Sequence, residues 1–193
     1  MCLNKLLLAS QSPRRCELLR RIGLSFCTDI PGVDESCNLP APEAVCYLSR
    51  VKARAVAKRR PGFYVLSADT LVSFRGRSLG KPTDRKDAAG MLRMLSGQTH
   101  QVYTGVSVVT PEGSCLTDYD CTDVTFSVLS EEEILSYIES GEPMDKAGAY
   151  ALQGRAGMWV EHIDGSDSSV IGLPLYLVRK MLLQAGYDFC GES

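Results

Sequence analysis

The chain has 193 residues and a formal charge of -2, enough for one domain, 1–193, whose core needs neither disulfides nor a structural metal. That balance speaks against a general nucleic-acid binder, because such binding is mostly phosphate neutralisation, and no apolar run approaches the ~20 residues of a membrane span. The eight cysteines, at 2, 16, 27, 37, 46, 115, 121 and 190, form no C-x-x-C pair and have only His100 and His162 beside them, so they read as reduced thiols of a cytoplasmic protein.

In chain order, Lys5 to Ala9 reads as a fully buried strand, and Ser12 before Pro13 has the chemistry of a helix start. That helix should run to about Gly23 with Leu18, Leu19 and Ile22 inward, followed by a strand over Ser25 to Ile30 and a Pro-rich loop from Pro31 to Pro42 that carries Asp34 and Glu35. From Glu43, Val45, Leu48, Val51 and Ala55 recur at helical spacing, with Lys52, Arg54, Lys58, Arg59 and Arg60 between them up to Pro61. Phe63 to Ser67 and Leu71 to Phe74 read as strands on either side of Ala68-Asp69-Thr70. A helix is expected from Arg85 to Leu95, ending before Gly97. Gln101 to Val109 and Cys115 to Leu129, rich in Val, Thr and Tyr, form a hairpin across Pro111-Glu112-Gly113. Ser130 with Glu133 is a capping box for a helix ending at Gly141. A glycine-rich polar stretch from Gly141 to Gly172 contains one clear strand, Met158 to Ile163, and Pro174 opens a last helix toward Gly186. This order predicts an α/β fold with a mixed sheet.

The run Leu6-Leu-Leu-Ala-Ser-Gln-Ser-Pro-Arg-Arg15 delivers a buried strand to a helix N-terminus carrying Ser10, Arg14 and Arg15. Free N–H groups and the helix dipole make such a place an anion site. Each arginine near a phosphate adds roughly 4 kcal/mol of Coulomb attraction at 4 Å and an effective dielectric near 20, before desolvation. Solvated arginines on an amphipathic helix are the other reading.

Gly76-Arg-Ser-Leu-Gly80-Lys81 is not a P-loop, since only three residues separate its glycines and Pro82 replaces the metal-binding hydroxyl. It leaves a lysine on a glycine turn. Asp69, set between apolar residues, needs a partner there; it could bind a cation, act as a base or cap a turn. Loops as long as Gly141 to Gly154 are disproportionately functional. Nucleophilic hydrolysis needs a Cys or Ser activated by His and a third group; the two histidines, His100 and His162, read as packing or hydrogen-bonding residues, so it has little support.

Leu8-Ala-Ser-Gln-Ser-Pro-Arg-Arg-Cys-Glu-Leu-Leu19, Ser67-Ala-Asp-Thr70, Leu79-Gly-Lys-Pro82, Ser96-Gly-Gln-Thr-His100 with Val102-Tyr-Thr-Gly105, Gly141-Glu-Pro-Met-Asp-Lys-Ala-Gly-Ala-Tyr150 with Leu152-Gln-Gly154, and Val170-Ile-Gly-Leu-Pro174 occur in this order. Together they resemble the Maf family of nucleoside triphosphate pyrophosphatases, also called septum formation inhibitor-like proteins. The resemblance implies an elongated mixed sheet flanked by helices, of the inosine triphosphatase-like kind, with a cleft between two lobes. It implies cleavage between the α and β phosphates with Mg²⁺ or Mn²⁺, and a homodimer; the charge and the lack of a long apolar run argue for no nucleic-acid and no membrane partner.

By this resemblance, phosphate binding falls on Ser10, Arg14, Arg15, the helix lysine Lys52 and the glycine-turn lysine Lys81, the proton acceptor on Asp69, and the metal on Asp69 and on Glu35, the acidic residue after the second strand. Arg14, Thr70 and Gln153 match the branch that acts on dTTP and UTP. Ser36 departs from the threonine common after the family's glutamate. The alternative is a nucleotide-sensing regulator of cell division without useful catalysis; the retained Asp69, Glu35 and Lys81 favour the enzyme.

Overall fold

The computed structural model describes residues 5–189. Seven strands form one mixed sheet, β1 (Leu6–Ala9), β2 (Phe26–Asp29), β3 (Tyr64–Phe74), β4 (Arg77–Leu79), β5 (Thr99–Val109), β6 (Cys115–Phe126) and β7 (Val160–Asp164), in the order β2-β1-β3-β5-β6-β7 with β4 paired to β3. β1 runs parallel to both β2 and β3, with Leu6 opposite Phe26 on one side and Tyr64 on the other. A strand flanked on both edges and covered on both faces takes an unbroken apolar run, and Leu6, Leu7, Leu8 and Ala9 are all buried. The helices are α1 (Pro13–Arg21), α2 (Ala41–Arg59), α3 (Arg85–Leu95), α4 (Glu131–Glu139), α5 (Asp167–Ile171) and α6 (Leu175–Gln184).

The chain divides into two compact units. The first takes in the residues up to Asp69, Thr104–Asp120 and those from Gly172 onward. Its core joins Leu7, Ala9 and Val65 to Ala53 and Val56 of α2 and Val109 of β5. α2 lies hard against β5: a Cβ on Gly105 would sit 2.3 Å from the Val45 carbonyl oxygen, and Ser49 Oγ and Ser107 Oγ share a hydrogen bond of 2.9 Å. The second unit, Thr70–Tyr103 and Cys121–Ile171, is built on Leu92, Phe126, Ile134, Tyr137, Tyr150 and Trp159. Its rings meet edge to face, Phe126 with Tyr150 at 4.8 Å and Tyr137 with Trp159 at 4.9 Å, the geometry favoured by aromatic quadrupoles.

Several local expectations change. α1 stops at Arg21, and Gly23 at φ 77° reverses the chain, with Leu24 N–H bonded to the Leu19 carbonyl. That turn buries Leu24 and leaves Ile22, expected inward, 45% exposed. α2 begins at Ala41, earlier than Glu43, because the Ala44 N–H bonds the Pro40 carbonyl. Its buried stripe is Val45, Leu48, Ser49, Lys52, Ala53 and Val56, so Lys52 lies on the inner face instead of among the solvated cations. β3 is one continuous strand through Ala68-Asp69-Thr70; small side chains and a paired carboxylate do not interrupt a ladder.

The capping box forms as read, with Ser130 Oγ accepting from Glu133 N–H and Glu133 Oε2 from Ser130 N–H. The glycine-rich stretch contains 3₁₀ turns at Glu142–Asp145, Ala147–Ala149 and Arg155–Trp159. Its strand starts at Val160, so Met158 and Trp159 belong to the last of these turns. Cys16, Cys27, Cys37, Cys46, Cys115 and Cys121 are free thiols; Cys2 and Cys190 lie outside the described residues. No helix among the described residues is long and apolar enough to cross a membrane.

Candidate active site

Ser10 follows directly after β1 and is buried. Its Oγ accepts from the Ser12 backbone N–H at 3.1 Å and from Arg15 Nη1 at 3.3 Å. Ser12 occupies the N-cap position of α1 but makes no side-chain cap. Arg15 Nε donates to the Gly172 carbonyl at 2.7 Å, which fixes the plane of the guanidinium against two parts of the first unit. Burial, the largest influence, lowers the Arg15 pKa from its ordinary value; the Asp69 charge opposes that, Arg14 adds to it and Glu35 opposes it. Arg14 is half-buried beside it on α1.

α2 and β3 supply the second half of the cluster. Lys52 Nζ donates to Asp69 Oδ1 at 2.6 Å and meets Glu35 Oε2 at 2.9 Å. The Lys52 and Asp69 side chains are 7% and 9% exposed, whereas Glu35 is 56% exposed. Glu35 is presented by a short turn in which Asp34 Oδ1 accepts from the Ser36 N–H. Burial raises the Asp69 pKa above its ordinary value; the charge and hydrogen bond of Lys52 and the charge of Arg15 pull it back, and Glu35 pushes it up. A buried ion pair is a poor device for stability, since desolvation consumes most of the attraction. Burying Lys52 and Asp69 together therefore points to chemistry.

No group of three or more His, Cys, Asp or Glu side chains that could hold a metal occurs among the described residues. Glu35 and Asp69 nonetheless converge on one cation, the Lys52 ammonium. Mg²⁺ is commonly held by one or two carboxylates with substrate phosphates completing its shell. Two converging carboxylates fit an ion brought in with a polyphosphate.

The structure thus brings Ser10, Arg15, Glu35, Lys52 and Asp69 together, with Arg14 adjoining. Thr70, Lys81 and Gln153 belong to the second unit. Thr70 follows Asp69 on β3, so strand alternation turns it to the other face. Lys81 is exposed just after β4, and Gln153 is exposed in a turn where the Gly154 N–H bonds the Ala151 carbonyl. The Gly172 carbonyl has no sequence signal for its role with Arg15. Lys52 did have one: it lies seven residues after Val45 and four after Leu48, on the apolar stripe.

A mixed sheet flanked by helices, with a cluster of cations and carboxylates in its first unit, defines an α/β protein built to meet a charged ligand. The solved structure of the Staphylococcus aureus Ham1 protein shares this fold, with a TM-score of 0.54 at 13% identity over 94% of this chain and 99% of that one. A family model described as Maf-like protein matches residues 5–185, and the chain belongs to the Maf family. It is 50% identical to a Symbiobacterium thermophilum protein named dTTP/UTP pyrophosphatase, over 96% of each chain. It is 47% identical to a Bacillus pumilus protein of the same name, over 93% of this chain and 96% of that one.

Proposed function

We propose that the protein is a nucleoside triphosphate pyrophosphatase that hydrolyses dTTP and UTP to the monophosphate and pyrophosphate. The observation that carries this reading is the Lys52 ammonium held between Asp69 and Glu35, beside an arginine fixed on a helix N-terminus. The relatives named dTTP/UTP pyrophosphatase support it over nearly the whole chain.

Phosphoryl and nucleotidyl transfer depend chiefly on positioning and charge stabilisation. Ser10, Arg14, Arg15 and Lys52 offset the phosphate charge. Asp69 takes the proton of the attacking water as the phosphoanhydride bond breaks and its electrons leave on pyrophosphate. Lys52 keeps the buried Asp69 carboxylate charged and aimed. Glu35 and Asp69 would hold Mg²⁺ or Mn²⁺, which neutralises phosphate charge and acidifies the attacking water. Thr70, Lys81 and Gln153 are assigned from the family motifs, Lys81 to phosphate and Thr70 and Gln153, with Arg14, to the choice of base. A site built to hydrogen-bond a base edge discriminates strongly, because the wrong base leaves polar groups unpaired.

The test is to incubate the protein with each nucleoside triphosphate and Mg²⁺ or Mn²⁺ and to resolve the products. Pyrophosphate with dTMP or UMP is expected. Release of orthophosphate, or no turnover of dTTP and UTP, overturns the reading.

A further inference from the structure

Gln153 is exposed, yet the turn that carries it is fastened from both sides to one inward-facing pair. Tyr137 of α4, fully buried, donates its hydroxyl to Glu142 Oε1 at 2.9 Å. The same hydroxyl accepts the Ala151 N–H at 3.3 Å, before Gln153, and Glu142 Oε2 receives the Arg155 N–H at 3.4 Å, after it. Arg155 is tied in turn to α4 through Ser136, by Nη2 to Oγ at 3.2 Å. Burial and the adjoining Glu142 carboxylate raise the Tyr137 pKa, so the phenol stays a donor.

Gly154 reveals what this pair requires. Its φ of -104° is open to any residue, so no backbone conformation demands glycine. A Cβ there would fall 1.7 Å from Glu142 Oε1: the missing side chain is the seat of the carboxylate. A surface turn closed by its own Gly154 N–H to Ala151 carbonyl bond needs no such seat.

We propose that Glu142 is a positioning residue that, through Tyr137 and the Ala151 and Arg155 amides, holds the Gln153 turn in the geometry that selects the base. This rests on the reading that Gln153 meets the base of the substrate. It adds Glu142 and Gly154 to the residues on which specificity depends, although neither needs to touch the nucleotide.

The experiment compares Glu142→Ala, Glu142→Gln, Gly154→Ala and Gln153→Ala with the parent chain. It measures kcat and KM for UTP, dTTP and GTP, and amide exchange over residues 151–155. Glu142→Ala and Gly154→Ala should each raise KM for UTP and dTTP with kcat little changed, lower discrimination against GTP roughly ten-fold, and speed exchange at Ala151 and Arg155. Glu142→Gln, whose carbonyl still accepts from Tyr137, should recover part of the loss. If Glu142→Ala does not fold, Gly154→Ala carries the same test, because its one added carbon displaces the carboxylate. Unchanged discrimination in a folded Glu142 or Gly154 variant overturns the proposal, even if thermal stability falls. If Gln153→Ala alone relaxes discrimination, the positioning role fails by itself; if Gln153→Ala also keeps it, the base-reading role fails and takes this proposal with it.

Discussion

Lys52 reaches from the inner face of α2 to Asp69 on β3 and closes on it at 2.6 Å, with both side chains buried. Asp69→Asn keeps an oxygen for Lys52 but removes the proton acceptor. Turnover of UTP should fall by roughly 10²–10⁴-fold, the usual worth of a general base, with nucleotide binding largely kept in a calorimetric titration. Full activity in this variant would remove Asp69 from catalysis.

The same pair predicts the acid limb of the pH profile. Burial raises the Asp69 pKa, so the charged, proton-accepting form is lost at a higher pH than for an ordinary carboxylate. The limb of kcat/KM should therefore lie above pH 3.8, the unshifted value. Lys52→Met removes the largest influence that opposes burial, so the limb should move further up. A limb that stayed in place in Lys52→Met would mean another group titrates there.

Arg15 uses the planar fork of its guanidinium twice, Nε on the Gly172 carbonyl and Nη1 on Ser10 Oγ. A lysine lacks this planar fork, whose donors sit on separate nitrogens, and so does not match the placement of both acceptors. Arg15→Lys should raise KM for UTP about ten-fold and cost about 1–3 kcal/mol in urea unfolding, because the buried Gly172 carbonyl is left without its donor. A KM equal to that of the parent would place Arg15 in the scaffold alone.

How far these features can be read from the chain depends on how local they are. The strand-to-helix turn at Ser10, the capping box at Ser130 and the hairpin around Glu112 use residues within a few positions of each other, and the structure forms all three. Asp69 was legible as a carboxylate in need of a partner, but its apparent break between two strands came from judging Ala-Asp-Thr without Lys52. Lys52 and Glu35 lie in none of the motif stretches, and the ion pair they share depends on a loop meeting a helix. Gly154 and Gly105 were visible only as members of motifs; the physical reason for each is an atom far along the chain, Glu142 Oε1 or the Val45 carbonyl.

Two glycines give opposite expectations on stability. At Gly105 a Cβ would stand 2.3 Å from the Val45 carbonyl and 2.4 Å from its carbon, and neither backbone atom can move aside alone. Gly105→Ala should cost about 3 kcal/mol, toward the upper end for overpacking. Gly90 lies inside α3 with nothing within 4 Å of a Cβ. Gly90→Ala should stabilise by about 1 kcal/mol through helix propensity. Urea midpoints of the two variants check both signs, and equal shifts would refute the packing argument.

His100 should make the fold sensitive to acid. The ring is fully buried, its Nε2 shares a 2.9 Å hydrogen bond with the Tyr150 hydroxyl, and its Nδ1 has no partner. An imidazolium carries two N–H donors, and only one acceptor waits for them. Burial accordingly lowers the pKa from 6.5 to about 4, against a weaker upward pull from Asp123. The unfolded chain binds this proton more readily than the folded one, so folding stability is whole above pH 6.5 and drains away as pH falls toward 4. At about 1.4 kcal/mol per pKa unit, the full loss is about 3 kcal/mol. Urea unfolding of the parent chain from pH 7 to pH 4.5 should show that slope, and His100→Gln, which cannot take up the proton, should be flatter over the same range while starting lower. Parallel curves for the two proteins would assign the acid sensitivity to other groups.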